Sequence, residues 1–237
     1  MTKSERERTY WLKKSASEYH KSIGEYALKK DKVVLKKLLG GHQGSALDIP
    51  CGSGRHSVLL KSLGFDVTSA DVSNAMLEAT RRIAGTKIKK LDLLKSFKSS
   101  DRYNVVLVSR LLFHYQKQAG ILSNLKSLLK PNGILIFDTL NKYSCRWFIH
   151  KGLIVFGRLF LSKIKFGHEK SLTFNTLSQI QTVLGKLGYK IIDKKSVYLF
   201  PTRSYKYIPR VFYKLFASIE AILADRLKVV TFWKVKL

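Results

Sequence analysis

The feature that most constrains this chain is the segment Ala46–Ser57, in which an apolar strand runs into an acidic residue and then a glycine-rich turn. Gly52 and Gly54 can adopt backbone angles that are closed to other residues, and they let the main chain approach a ligand closely. Arg55 begins a helical pattern directly behind the turn, as in folds that hold nucleotides at a helix N-terminus. This order of elements predicts a site for a nucleoside cofactor.

An acidic residue further along the chain strengthens this interpretation. A second predicted strand, Phe65–Ala70, ends at Asp71, which lies 23 residues after Asp48. Rossmann-like folds place at this point the carboxylate that accepts hydrogen bonds from ribose hydroxyls. The first strand, turn, helix, second strand and acid therefore occur in the order that a nucleoside-binding unit requires.

From Ser45 to Asp138 the chain resembles the class I S-adenosylmethionine-dependent methyltransferases, in particular the broad small-molecule group with a D-x-P-C-G-x-G-R-H type first motif. The resemblance implies S-adenosyl-L-methionine as the cofactor, with Asp71 at its ribose. It also implies that Asp92 with Leu93 meets the adenine. Three residues of the first motif would hold the methionine end: Asp48, Gly52 and Gly54.

The same resemblance extends to the end of the fourth predicted strand, Val105–Ser109. Arg110 and its neighbours would lie there beside the methionine moiety and the methyl acceptor. Pro50 departs from the family pattern, since a glycine usually stands two residues before Gly52. The complete set of expected cofactor-binding residues is Asp48, Pro50, Gly52, Gly54, Asp71, Val72, Asp92, Leu93, Ser109 and Arg110.

A nicotinamide dehydrogenase is one alternative, because Gly52, Gly54 and Ser57 nearly satisfy its G-x-G-x-x-small pattern. In the dehydrogenase turn the glycines follow an apolar strand directly. Here Asp48 stands four residues ahead of Gly52, where a carboxylate could serve a methionine group. The sequence therefore favours the methyltransferase interpretation.

The string Asp48–Gly52 also resembles the D-A-P-C-S-G motif of the RNA cytosine-5 methyltransferases, in which the cysteine is the nucleophile. That motif should follow a complete cofactor half-sheet. Only 47 residues precede Asp48, and they have a helical pattern without a glycine cradle. We therefore expect Cys51 to be a small buried turn residue and not a covalent catalyst.

The 237 residues, 45% of them hydrophobic, are enough for one domain with a substantial core. Two cysteines, Cys51 and Cys145, do not make a disulfide framework, which favours a reducing compartment. The N-terminus lacks the apolar core of a signal peptide, and no apolar run approaches the roughly 20 residues that span a bilayer. We expect a single domain over 1–237 with a helical lid (1–44), a cofactor-binding core (45–140) and two basic aromatic segments on the substrate side (141–170 and 201–227).

Strand and helix patterns alternate along the chain, which predicts an α/β fold: a Rossmann-like three-layer sandwich. Its sheet should be mostly parallel and seven-stranded, with an antiparallel last strand, and helices should precede it. Ser73 is the expected N-cap of the helix after the second strand. The predicted strands are Ala46–Ile49, Phe65–Ala70, Thr86–Lys90, Val105–Ser109, Ile134–Asp138, Tyr189–Phe200 and Val229–Leu237.

The charge balance is the second strong feature, with 44 Lys and Arg against 16 Asp and Glu and a formal net charge of +28. Between Arg102 and His168 one acid, Asp138, stands against eleven Lys and Arg. Such a field attracts anionic partners such as nucleic acid, phosphorylated molecules or acidic lipid head groups. Solvated surface lysines in a lysine-rich proteome are the simpler explanation for any single residue.

Two segments outside the core mix aromatic, aliphatic and basic residues: Tyr143–Phe166 and Tyr205–Leu223. In an open α/β sheet, insertions after the later strands overhang the ligand site. Both could pack their apolar faces on the sheet, or they could form a surface that rests on an acidic membrane or receives a lipid-linked anionic substrate.

His114 follows the fourth predicted strand and is the candidate catalytic residue. Methyl transfer depends mainly on alignment. A neutral histidine could accept the proton of a hydroxyl acceptor. His150 and His168 are weaker candidates, and no cluster has metal-ligand spacing.

These observations favour a cytoplasmic S-adenosylmethionine-dependent methyltransferase, peripheral at the inner face of a membrane. It would act on an oxygen, or as second choice a nitrogen, of a small anionic or lipid-linked acceptor. An RNA methyltransferase that holds phosphates on the basic surface is the alternative, although an N-P-P-Y-like motif is missing after the fourth strand. A non-catalytic binding module on the same fold is the third interpretation, and the acids Asp48, Asp71 and Asp92 argue against it.

Overall fold

The computed structural model describes residues 25–95, 99–144, 172–199, 202 and 209–237. These residues form a single sheet in the order β3-β2-β1-β4-β5-β8-β7, and the short β6 pairs with β5. Strand β8 is antiparallel to both of its neighbours, and the other pairs are parallel. The strands are β1 (Ser45–Asp48), β2 (Asp66–Asp71), β3 (Lys87–Lys90), β4 (Tyr103–Val108), β5 (Leu129–Asn141), β6 (Phe174–Asn175), β7 (Lys190–Val197) and β8 (Val230–Lys236).

Helices cover the sheet and connect its strands. Ser73 caps the helix after β2, since its hydroxyl accepts a hydrogen bond from the amide of Met76 at 3.4 Å. A 3₁₀ turn, Leu112–His114, follows β4. The described helices are α1 (Glu25–Leu39), α2 (Arg55–Ser62), α3 (Asn74–Ala84), α4 (Gln118–Leu125), α5 (Leu177–Lys186) and α6 (Tyr213–Ile222).

The core has two apolar layers, one on each face of the sheet. Strand β4 shows why, because Val105 and Leu107 belong to one cluster while Val106 and Val108 belong to the other. All four are completely buried, as expected for a central parallel strand that is covered on both faces. The first layer includes α1 and α2, and the second includes α4 and α5. The predicted three-layer fold is confirmed.

The structure differs from the predicted strands in their ends and in one added strand. Strand β7 covers Lys190–Val197 instead of Tyr189–Phe200, because Tyr198 has a left-handed φ of 73° that ends the extended pairing. Strand β5 starts at Leu129 instead of Ile134. The predicted Pro131–Gly133 turn is a bulge inside this strand, since β4 pairs with β5 on both sides of it. Asn132 takes the left-handed φ of 61° that this bulge needs. The two-residue β6 was not predicted, since it is too short to show a pattern.

Helix α1 is an integral part of the first core layer. Its residues Leu35 and Leu38 are completely or almost completely buried. At its first turn Glu25 pairs with Arg210 at 2.7 Å, and the ring of Tyr26 lies edge-on against that of Tyr213 at 4.9 Å. Helix α1 therefore connects the sheet to the region around α6.

Candidate functional site

A cleft opens at the carboxyl ends of β1, β2, β3 and β4, where open α/β sheets bind ligands. The space between its walls, with the open solvent at its mouth included, is about 790 Å³. Most of its wall is apolar, which suits a flat ring system. The apolar lining residues are Ile49, Val72, Met76, Leu91, Leu93, Leu94 and Leu111.

The structure brings most of the sequence-predicted residues together in this cleft. Those that line it are Pro50, Gly52, Asp71, Val72, Asp92, Leu93, Arg110 and His114. The other three, Asp48, Gly54 and Ser109, lie in the same turns but outside the lining. Asp48 and Ser109 are buried beneath the cleft floor.

Asp71 joins the glycine turn to the end of β2. Its Oδ2 accepts a hydrogen bond from the amide of Gly52 at 3.1 Å, and its Oδ1 accepts one from the amide of Ser73 at 3.0 Å. Burial raises the pKa of Asp71, and these amides oppose the shift. Because a carboxylate has about four acceptor positions, Asp71 can still bind ligand hydroxyls while it holds the turn.

Asp48 supports the turn from below. Its Oδ2 accepts a hydrogen bond from the hydroxyl of Ser57 at 2.6 Å, and Ser69 donates to the Ser57 oxygen at 2.7 Å. Its Oδ1 is buried and has no hydrogen-bond partner among the described residues. Burial raises the pKa of Asp48 to about 7, against the opposing hydrogen bond from Ser57.

This raised pKa predicts that cofactor affinity depends on pH. A cationic ligand group near Asp48 favours its ionised form, so binding should release a proton and strengthen as the pH rises through about 7. Between pH 6 and pH 8 we expect a gain of about tenfold, since this linkage changes affinity tenfold per pH unit below the pKa. Calorimetry across this range is the measurement. The Asp48→Asn protein should show a flat profile, and a wild-type profile that is equally flat would contradict a role for Asp48 in binding.

Tight packing behind the turn explains its second glycine. Gly54 has a φ of 79°, and a Cβ atom there would lie 3.1 Å from Thr80. Thr80 donates a hydrogen bond to the carbonyl of Gly52 at 3.0 Å and holds the turn against α3. Cys51 is buried as predicted, and burial raises the pKa of its thiol, which stays protonated and is therefore a poor nucleophile.

The turn after β4 is fixed at Arg110, which has a φ of 60°. Its amide donates a hydrogen bond to Oδ1 of Asp138 at 2.7 Å. Its guanidinium group donates to Asp31 of α1 at 2.9 Å and to Thr202 at 2.8 Å. Arg110 therefore contributes to the cleft wall, and its guanidinium group forms an ion pair with Asp31 on α1.

Further contacts support the 3₁₀ turn that carries His114. The amide of Thr173 donates to the carbonyl of Phe113 at 2.7 Å, and the side chain of Gln118 donates to the carbonyl of Leu112 at 3.0 Å. Asn175 donates to Gln118 at 3.0 Å. The sequence-based site missed Asp31, Thr173, Gln118 and Asn175, because no local motif marks a residue that acts through a distant contact.

Several predictions lie outside the described residues. These concern residues 1–24 of the predicted helical lid, the roles of His150 and His168, the environment of Cys145, most of the segment Tyr143–Phe166, and residues 205–208 of the second basic aromatic segment. Within the described ranges no group of three or more His, Cys, Asp and Glu could hold a metal ion. No described helix is both long and apolar enough to span a bilayer.

Residues 19–193 match a family model described as a methyltransferase domain. The ubiquinone biosynthesis O-methyltransferase of Rickettsia canadensis is 30% identical over 155 residues, which cover 64% of each chain. The protein of the same name from Histophilus somni is 28% identical over 50% of this chain. This chain thus spans about half to two thirds of the length of these relatives.

Solved structures agree on the fold. Magnesium protoporphyrin IX methyltransferase from Synechocystis PCC 6803, with bound S-adenosylhomocysteine, has a TM-score of 0.62 at 19% identity, over 91% of this chain and 85% of its own. The N-methyltransferase NodS from Bradyrhizobium japonicum has a TM-score of 0.56 at 11% identity, over 90% of this chain and 87% of its own. Both similarities concern the fold alone.

Proposed function

The chain belongs to the class I S-adenosylmethionine-dependent methyltransferases, and from this premise we propose that it methylates an oxygen of a small, anionic or lipid-linked acceptor. A nitrogen acceptor is the second choice. The O-methyltransferase names of the relatives support oxygen. The observation that carries the proposal is the cleft, which combines an apolar wall with acids at the ends of β2 and β3 and a histidine after β4.

The described residues fit the cofactor of this family. Asp71 would accept hydrogen bonds from the ribose, and Asp92 with Leu93 would meet the adenine. Asp48, buried at the end of β1, would stabilise the ammonium group by its negative charge and not by direct contact. When bound, the cofactor supplies a methyl group on a sulfonium, which is a good leaving group. The chain must then exclude water and align the acceptor, and its apolar lining and fixed turns support both tasks.

His114 is the proposed acceptor-side base. It lines the cleft on the 3₁₀ turn after β4, and that turn is held by the contacts of Thr173 and Gln118. A neutral imidazole within hydrogen-bond reach of an acceptor hydroxyl can take its proton as the carbon–oxygen bond forms. This role rests on the position of His114 in the cleft wall.

Helix α6 supports a lipid-linked acceptor. Its inward face carries Glu220, which is 3% exposed and pairs with Lys30 of α1 at 2.7 Å. Its solvent side carries an apolar stripe with a helical spacing of three and four residues. The stripe begins just before the helix and consists of Val211, Phe212, Leu215, Ile219 and Ile222. Val211 is 78% exposed and Ile222 is 87% exposed.

An apolar stripe flanked by exposed cations is typical of helices that lie in the plane of a membrane surface. Lys214 and Arg226 flank the stripe and are exposed, while the exposed Arg210 pairs with Glu25. The acids of this region are neutralised, since Glu220 pairs with Lys30 and Asp225 pairs with Lys228. We propose that this face rests on acidic lipid, where a lipid-linked acceptor would be concentrated.

Cosedimentation with vesicles tests this surface. Binding should require acidic lipid and weaken with salt, because the electrostatic part acts through exposed cations. Replacing Val211 and Ile222 together with serine should reduce binding at least about tenfold, given about 0.8 kcal/mol for each buried methylene group. The control is Ile83→Ser, which removes an exposed apolar side chain from α3, outside the proposed surface. If the control weakens binding as much as the α6 variant, the proposed surface is wrong.

Mass spectrometry of a mixed reaction identifies the acceptor class. The protein is incubated with isotopically labelled cofactor and three probes: prenylated phenols in acidic vesicles, water-soluble phenolic acids, and RNA. The proposal expects label on an oxygen of a phenol, with the prenylated probe labelled fastest. The net charge of +28 supports RNA as the alternative. Label confined to RNA would overturn the proposal and favour an RNA methyltransferase.

A further inference from the structure

A buried cluster of charged side chains joins α1 to the turn after β4. Asp31 of α1 is 2% exposed, and its Oδ2 accepts a hydrogen bond from Arg110 at 2.9 Å. Arg55, the first residue of α2, has an Nη2 atom 3.8 Å from the same oxygen. The hydroxyl of Tyr198 lies 2.6 Å from the Oδ1 atom of Asp31. We call these four residues the Asp31 cluster.

Asp31 is ionised in this cluster. Burial alone raises its pKa, but the guanidinium groups of Arg110 and Arg55 hold that pKa below its usual value. The four residues thus combine two cations with one anion in a region that is largely closed to water. The carboxyl group of Asp138, which accepts the amide hydrogen bond of Arg110, lies beside them and is present in every variant. Because screening is weak there, a change of one charge acts on nearby ligands more strongly than a change at the surface.

The Asp31 cluster reaches the cleft through Arg110, which is both its member and part of the cleft wall. The methyl donor carries one more positive charge than the demethylated product, since transfer turns a sulfonium into a neutral thioether. Uncompensated arginine charge would therefore weaken binding of the donor more than binding of the product. Asp31 opposes this effect by neutralising Arg110.

We propose that Asp31 is a positioning residue that acts through Arg110 and determines how well the cleft distinguishes the cationic methyl donor from its neutral product. The proposal rests on the cofactor in the proposed function, and it is independent of the acceptor. Its observable is the ratio of two dissociation constants, that of S-adenosylmethionine to that of S-adenosylhomocysteine. A merely structural role would weaken both ligands and leave this ratio unchanged.

Calorimetry with both ligands at pH 8 tests the proposal. In Asp31→Asn the ratio should rise several-fold, because the uncompensated arginine charge then opposes the extra positive charge of the donor with little screening. In Arg55→Gln, which removes a cation instead, the ratio should fall. The double variant restores the net charge and should return toward the wild-type ratio. Glu25→Gln is the matched control, because Glu25 lies on the same helix in an exposed ion pair.

The two single variants should change the ratio of dissociation constants in opposite directions, so each tests the proposal separately. If Asp31→Asn does not fold, Arg55→Gln decides alone, and a ratio within about twofold of the wild type overturns the proposal. A shift of equal size in Glu25→Gln also overturns it, since an exposed charge should be screened. If the wild-type protein binds neither ligand, the proposed function itself fails, and that result is distinct from an unchanged ratio.

Discussion

Replacing Asp71 with alanine should weaken binding of S-adenosylmethionine by roughly 1–3 kcal/mol, or about fivefold to 150-fold, the usual loss when a charged hydrogen-bond acceptor is removed. The change removes the proposed ribose contact. It also releases the amides of Gly52 and Ser73, which Asp71 holds at 3.1 and 3.0 Å. Both losses act in the same direction. Titration calorimetry with the cofactor is the measurement.

The control for this prediction lies on the same strand. Asp66 begins β2, is exposed, and pairs with Lys87 at 2.9 Å across to β3. An exposed pair of this kind contributes little to stability, so Asp66→Ala should bind the cofactor as the wild type does. A folded Asp71→Ala protein with wild-type affinity would remove the ribose contact from the proposed site.

The second large effect is expected at His114. Its replacement by alanine should lower the methylation rate by about 10²-fold or more while cofactor affinity stays nearly unchanged, because a general base acts in the transition state and not on the cofactor. Single-turnover rates with labelled cofactor, together with calorimetry of cofactor binding, give both results.

His42 provides the comparison for His114. It lies in the loop between α1 and β1, at the amino ends of the strands and so at the opposite edge of the sheet from the cleft. His42→Ala should methylate at the wild-type rate. If a folded His114→Ala protein does the same, His114 is a structural residue and alignment alone must explain the chemistry.

Local signals in the sequence were sufficient for the cofactor half of the molecule. A glycine turn after an apolar strand, with acids at the ends of successive strands, requires particular backbone angles and particular strand edges. Since parallel strands end at one edge of a sheet, Gly52 and Asp71 could be placed together before the fold was known, and the resemblance to the methyltransferases added Asp92. The alternating order of strand and helix patterns likewise predicted a sheet covered on both faces.

Only the tertiary structure shows which distant residues surround the predicted cofactor-binding residues. Asp31 and Arg110 are 79 positions apart, and no local pattern marks either as the partner of the other. Helix α6 is apolar on more than one side, so its spacing could not show that Glu220 faces inward while Ile222 faces solvent. The bulge in β5 and the short β6 depend on pairing with neighbouring strands. Turns and strand ends follow from local backbone chemistry, whereas buried ion pairs and the orientation of a helix depend on which distant surfaces meet.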